Sequence, residues 1–460
     1  MINNQKPSNK FYNIHRTETE NCDRYMALDK EPSSFEALNL SEDIALSVHH
    51  NLERRYKSKA QKLSIGVLIA DLVANAAIRI DRWGYREVGI DHFKGMPVGY
   101  KPFIAAVAGM NALGLLTVIP GHAAAPLAFG KQRDATRFRG TAKFFELALR
   151  HGVTPQTWAD HFQFLPRPCR TAHPILLRSC STIKKSENHH FKGYKLPGQR
   201  MRVDKSLPVV REMSEQVNAI NAFTSQQDLY LGSYEHRFFQ RIFSQGNTIG
   251  GDLTKGGRLY SPGKMSYQHM PGDERDIITI NGEATVEVDI GSSFLTIYRA
   301  QLGLSFDPER DPYEGIGDLP RHVAKALVVM TFGHCKHHTR WPSATRAKYR
   351  KYFEKHGAAD YGTGDLSKDH PIGRTTKTVL AALPELAGWP DSSIRWGDLQ
   401  FIESKAVVEA IYTLNTVHAV TALPVHDSIR VPVSAAALAT QVLSDAFLKH
   451  VGIKPVIKTK

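Results

Sequence analysis

Period-two alternation in "ALPVHDSIRVP", residues 422–432, puts Leu423 and Val425, then Ile429 and Val431, in register and predicts two short strands meeting at a turn that carries His426 and Asp427. Asp and Ser are ordinary turn residues, so the plain reading of Asp427-Ser428 is a solvated hairpin tip. The other reading is a carboxylate held rigidly and pointed outward. A second alternation, through Val286 and Val288 of "ATVEVDIGSSFLTIYRAQLG", predicts a strand that reaches Asp289 and passes into a helix. That puts another carboxylate at a strand end, where ligands bind in open sheets. In "LPRHVAKALVVMTFG", Arg321 and Lys325 are four apart, one helical turn above the other. Such a pair can grip a triphosphate, although most basic pairs of this kind are a solvated helix face.

Elsewhere the pattern sets the organisation. Residues 1–40 are polar and unpatterned, which predicts a poorly ordered tail. Over 41–165 the order is helix, helix, a turn-rich excursion and a helix "TAKFFELALRHG", as expected of a helical or winged-helix domain whose wing carries Lys131, Arg133, Arg137 and Arg139. A plain helical domain with a basic loop gives the same pattern. Residues 166–206 are rich in Pro, Lys and Arg and read as a basic linker; Cys169, His173, Cys180 and His189 within it match no familiar zinc-ligand spacing. From 207 to 460 the chain reads as one long unit, opened by the helix "LPVVREMSEQVNAINAF". The glycines of "GGDLTKGGRLYS" allow tight turns and close backbone approach.

Composition adds a partner and a compartment. With 460 residues, two or three domains are expected, and 59 Lys and Arg against 45 Asp and Glu, a formal charge of +14, point to a polyanion. Between Lys336 and Lys355 the cations Arg340, Arg346, Lys348, Arg350 and Lys351 interleave with Trp341, Tyr349 and Phe353, as stacking platforms do in nucleic-acid channels. The 4 cysteines are few and irregularly spaced, which argues against a disulfide framework and for a reducing compartment; a cytoplasmic, nucleoid-associated protein is the expectation. The apolar stretches "LSIGVLIADLVANAAI" and "FIAAVAGMNALGLLTVIPG" are interrupted by Asp71, Asn75 and Asn111 and fall short of the roughly 20 residues of a bilayer span, so they read as buried helices.

Taken in order, these segments resemble the family A DNA polymerases and their relatives, the phage-type single-subunit RNA polymerases. "VEVDIGSSFLTIYR" looks like the first catalytic segment, "RHVAK…FG" like the fingers helix, and "VHDSI" like the second catalytic segment. "GGRLYSPGKMSYQHMP" is similar to the segment that sets an arginine and a glutamine against the duplex minor groove, here Arg258 and Gln268. The resemblance covers residues 245–455 and implies an α+β right-hand polymerase: a palm with an antiparallel sheet, helical fingers and thumb. It further implies Asp289 and Asp427 as ligands of two Mg2+ ions, with Mn2+ as a substitute, Arg321 and Lys325 on the triphosphate, and His426 near the primer terminus. DNA template-primer and dNTPs would be the partners, in replication or repair, with no membrane and a monomer as the expected state. Two departures stand out. Phe332 lies seven residues after Lys325 where the family's aromatic lies eight after, and Val329 stands where family A DNA polymerases carry an aromatic. Five residues after Asp289, where the DNA polymerases have Glu and the RNA polymerases Gly, this chain has Phe294, which predicts exclusion of a 2′-hydroxyl. The amino-terminal half lacks the scattered acidic pattern of a proofreading exonuclease. An RNA-making or primase-like polymerase and a non-catalytic DNA-binding protein on a decayed scaffold are the rival expectations.

Overall fold

In a computed structural model of the chain, residues 23–51, 59–93, 96–121, 135–166, 168–184, 194–232, 234–263 and 266–460 are described. They fall into two units: 1–167 with 231–237 and 262–269, and 168–230 with 238–261 and 270–460.

The first unit is built around helix Lys59–Ala76, which is apolar on every side and is therefore buried at every residue from Ser64 to Ala76. Its one carboxylate is satisfied there: Asp71 accepts a hydrogen bond from the Leu28 amide at 2.9 Å and lies 3.6 Å from Lys30 Nζ. Among the described residues no helix is long and apolar enough to cross a membrane. Helices Phe35–Asn51 and Tyr100–Ala112 pack on the central helix. The expected excursion is an antiparallel pair, Leu116–Ile119 with Thr136–Gly140, standing before helix Ala142–Arg150, whose start Thr141 caps by accepting from the Phe144 amide. The pair is no free two-stranded wing, because Trp83–Arg86 and Asp23–Tyr25 extend it to four strands. Arg139 lies over the Trp83 ring at 4.5 Å, and Lys131 and Arg133 lie outside the described residues. Residues 23–40, expected as tail, carry strands Asp23–Tyr25 and Lys30–Pro32 and the start of helix Phe35–Asn51; residues 1–22 lie outside the description.

The second unit is α+β with antiparallel pairing in its main sheet. Strand Glu283–Gly291 is its axis: Ser428–Pro432 pairs along one edge, and Thr279–Ile280 and then Val456–Thr459 pair along the other. Leu423–Val425 and Leu229–Tyr230 complete the sheet. Helix Trp396–Thr416 packs against helix Ala436–Val451 and against strand Gly256–Tyr260 of a second sheet. The stretch 166–206, expected as a linker, supplies strands Ile175–Arg178 and Arg200–Met201 to that second sheet, beside Gln240–Phe243. Its Pro and Lys content masked short apolar pairs such as Ile175 and Leu177, both buried. Gly257, at φ +85°, lets the two elements meet: a Cβ there would stand 2.8 Å from Phe243 Cε1 and 2.9 Å from Ser404 Oγ.

Candidate active site

The turn read from the alternation is a two-residue hairpin loop, His426-Asp427, closed by the pair Val425 and Ser428. His426 sits at φ +59°, a left-handed conformation that favours glycine and stores strain when another residue holds it. Ser428 is in register opposite Asp289 on the adjoining strand. Its hydroxyl lies 2.8 Å from both Val425 O and Glu287 Oε1 and shares its one proton between them, which ties the hairpin to that strand. Asp427 therefore stands one residue from the position that faces Asp289. Although Asp427 retains some surface, the protein around it pushes its carboxyl up; Arg258 opposes this, and the Asp289 charge adds to it. His426 is exposed, yet desolvation first and Arg258 second lower its pKa against the opposing pull of Asp427, and the lowered value favours the neutral ring.

Cations surround the two carboxylates. Lys460 Nζ donates to Asp289 Oδ2 at 2.6 Å. Lys325 is exposed on helix Arg321–His334; desolvation and Arg321 lower its pKa while Asp289 and Asp427 pull it back up. Arg321, one turn before it, is held by Asp311 at 2.6 Å rather than left free. Asp311 also accepts from Lys458 at 2.7 Å, and against the desolvation that would raise it, these bonds hold its carboxyl down at about 2.

On the other side of the hairpin Arg258 is clamped by Glu403 of helix Trp396–Thr416, with Nε at 2.7 Å and Nη2 at 2.5 Å from Oε1. Glu403 is fully buried and also accepts from Ser293 Oγ at 2.6 Å. Burial pushes its carboxyl up to about 7, with Arg258 pulling the other way. The network links three segments: the glycine-rich strand, the start of helix Ser293–Gln301 and the long helix.

The structure thus brings Asp289, Asp427, His426, Arg258 and Lys325 into one electrostatic neighbourhood. Phe294 joins it half-buried, its ring 6.0 Å from the Arg258 guanidinium carbon and edge-on to Phe332. Two expectations need correction. Phe332, implied as a nucleotide-stacking ring, is 2% exposed and packs edge-on against Trp389 and Tyr298, so it has no face to offer a base. The exposed residue one turn past Lys325 is Val329. Gln268, implied as the partner of Arg258 in the minor groove, is buried, with little surface to offer a duplex. Cys169, His173 and Cys180 form no metal cluster among the described residues, and His189 lies outside them.

No family model and no curated protein matches the sequence. Among solved structures, the POL domain of Pol1 from M. smegmatis, in complex with DNA primer-template and dNTP, aligns with a TM-score of 0.26 and 14% identity. The alignment covers 44% of this chain and 45% of that one. At that score the likeness carries no weight, and the site stands on its own geometry.

Sequence reasoning missed Glu403, Asp311, Lys458 and Lys460. For Glu403 a signal was present: in "QFIESKAVVEAI", Gln400, Glu403 and Ser404 are polar at helical spacing, set between the apolar pairs Phe401-Ile402 and Val407-Val408. For Lys458 and Lys460 it was the alternation "VIKTK", too short to separate from a charged tail.

Proposed function

We propose that the chain is a template-directed nucleotidyltransferase, a DNA polymerase without proofreading built on the plan of the family A and phage-type enzymes. The observation that carries this reading is the register of Asp289 with Ser428, which sets one carboxylate on a strand and the other on the adjoining hairpin loop, among Lys325, Lys460 and Arg258. In this reading the antiparallel sheet is the palm and helix Arg321–His334 belongs to the fingers.

The donor set suits divalent ions: the oxygens are hard carboxylate oxygens, and Asp427, raised first by burial and further by the Asp289 charge, would gain from a cation between the two. No larger cluster of His, Cys, Asp or Glu stands among the described residues, so water and phosphate oxygens would complete the coordination, as Mg2+ prefers. Asp289 and Asp427 would hold Mg2+, or Mn2+ in its place, which when bound would polarise the primer hydroxyl and the departing pyrophosphate. Lys325, exposed and facing both carboxylates, would neutralise triphosphate oxygens; Arg321, tied to Asp311, would shape that wall. Arg258, fixed by Glu403, would position the hairpin and the duplex beside it. Neutral His426 at the tip would lie against the primer end. Phe294 would sit under the sugar and select dNTPs.

Primer extension on a templated oligonucleotide with dNTPs and NTPs tests the reading. Asp289→Ala and Asp427→Ala should each abolish incorporation while DNA binding survives; extension by either at near wild-type rate refutes the assignment.

A further inference from the structure

Side chains alternate along Val456–Thr459 and its extension, so Lys458 and Lys460 share one face. The backbone fixes where that face points. Lys458 is in register with Asp289, and Lys460 exchanges both backbone hydrogen bonds with Glu287, at 2.9 and 3.0 Å. Their ammonium groups diverge: Lys458 reaches Asp311 at 2.7 Å and Lys460 reaches Asp289 at 2.6 Å. With its side chain 60% exposed, Lys460 gains little stability from this pair. What the contact does change is the availability of Asp289 Oδ2.

We propose that Lys460 is a resident counter-ion of Asp289 that competes with a divalent cation for the same carboxylate oxygen and so sets the ion concentration at which the site loads. This rests on the reading of Asp289 and Asp427 as metal ligands. Before loading, the ammonium neutralises one of two carboxylates that repel each other, Asp289 on its strand and Asp427 on the adjoining hairpin loop. An arriving ion displaces that single charge, and the freed ammonium remains tethered by its strand beside Lys325, whose field it already shares. Lys325 could not serve the same purpose, because its amino group makes no hydrogen bond to either carboxylate in this structure.

The test is Mn2+ binding to the full chain by calorimetry, without DNA or nucleotide, on variants first shown to be folded by circular dichroism. Lys460→Met should lower the half-saturating Mn2+ concentration by about two- to fivefold, the range spanned by exposed ion pairs. Lys460→Arg should stay near wild type. Lys454→Met, which removes the same charge from an exposed position on the same segment, should leave the affinity unchanged. If Lys460→Met does not fold, Lys460→Gln makes the same comparison with the length and a donor kept. Equal Mn2+ affinity in the wild type and the neutral variant overturns the counter-ion role alone. Failure of wild type to bind Mn2+, or binding untouched by Asp289→Asn, overturns the metal-ligand reading on which it rests.

Discussion

Replacing Glu403 separates two consequences of the buried network. Its carboxylate has no exposed surface and accepts from Arg258 Nε at 2.7 Å and Ser293 Oγ at 2.6 Å. Glu403→Ala leaves a guanidinium whose side chain is only 15% exposed without its partner, and a buried hydroxyl without an acceptor. Loss of one member of such a pair costs about 3–5 kcal/mol, far beyond what a surface pair contributes. Glu403→Gln keeps the shape and removes the titration. The folded carboxyl is raised by burial to about 7 from an ordinary 4.5, so the folded state holds its proton more tightly than the unfolded chain does. The stability this group contributes is therefore complete below about pH 4.5 and is lost as pH rises through about 7, by up to about 3 kcal/mol. Denaturant unfolding followed by near-ultraviolet circular dichroism at several pH values between 4.5 and 8 reads both effects. Wild-type stability minus that of Glu403→Gln should decline across this window. Parallel curves, or a cost for Glu403→Ala below about 1 kcal/mol, would refute a desolvated carboxyl clamped to Arg258.

Three further outcomes follow from the same geometry. Asp427→Asn should raise the melting temperature at neutral pH without divalent ions, because burial and Asp289 both disfavour the charged form, while primer extension is lost; a lower melting temperature would contradict that electrostatic account. Phe294→Ala should raise NTP incorporation selectively if the ring selects the sugar, whereas equal loss with dNTPs and NTPs would make it a packing residue beside Phe332. Neutralising Arg346, Lys348 and Lys351 on the largely exposed helix Ser343–His356 should flatten the salt dependence of DNA binding by about two to three in log–log slope; an unchanged slope moves the DNA elsewhere.

The elements legible in the sequence were those in which local pattern and tertiary environment agree. Alternation around Val286, Val288, Ile429 and Val431 gave the two strands, because one face of each meets the core: Val288, Ile429 and Val431 have no exposed surface. The positions of Asp289, two residues inside the end of strand Glu283–Gly291, and of Asp427, in the hairpin loop, followed from that pattern; their proposed role as metal ligands does not. Phe332 went astray for the converse reason. Helical spacing puts it seven residues from Lys325, yet the ring fills the core beside Trp389, whose indole donates to Thr331 O at 2.9 Å, and no pattern in the helix reveals a partner 57 residues away. Gln268 reads in the sequence as an exposed polar side chain, and its burial was not legible there.

Long-range charge pairing was the least legible layer. Arg321 and Lys325 look equivalent on one helix face, but Asp311, ten residues upstream of Arg321 across a turn, takes the arginine and leaves the lysine exposed, within the field of both carboxylates. The same pairing anchors Lys458, so one acidic side chain fixes the roles of two cations on separate elements. A basic pair in a sequence is thus an offer of two charges, and its chemistry is set by which of them the fold leaves unclaimed. Here that is Lys325, and the proposed nucleotide site would be organised around it.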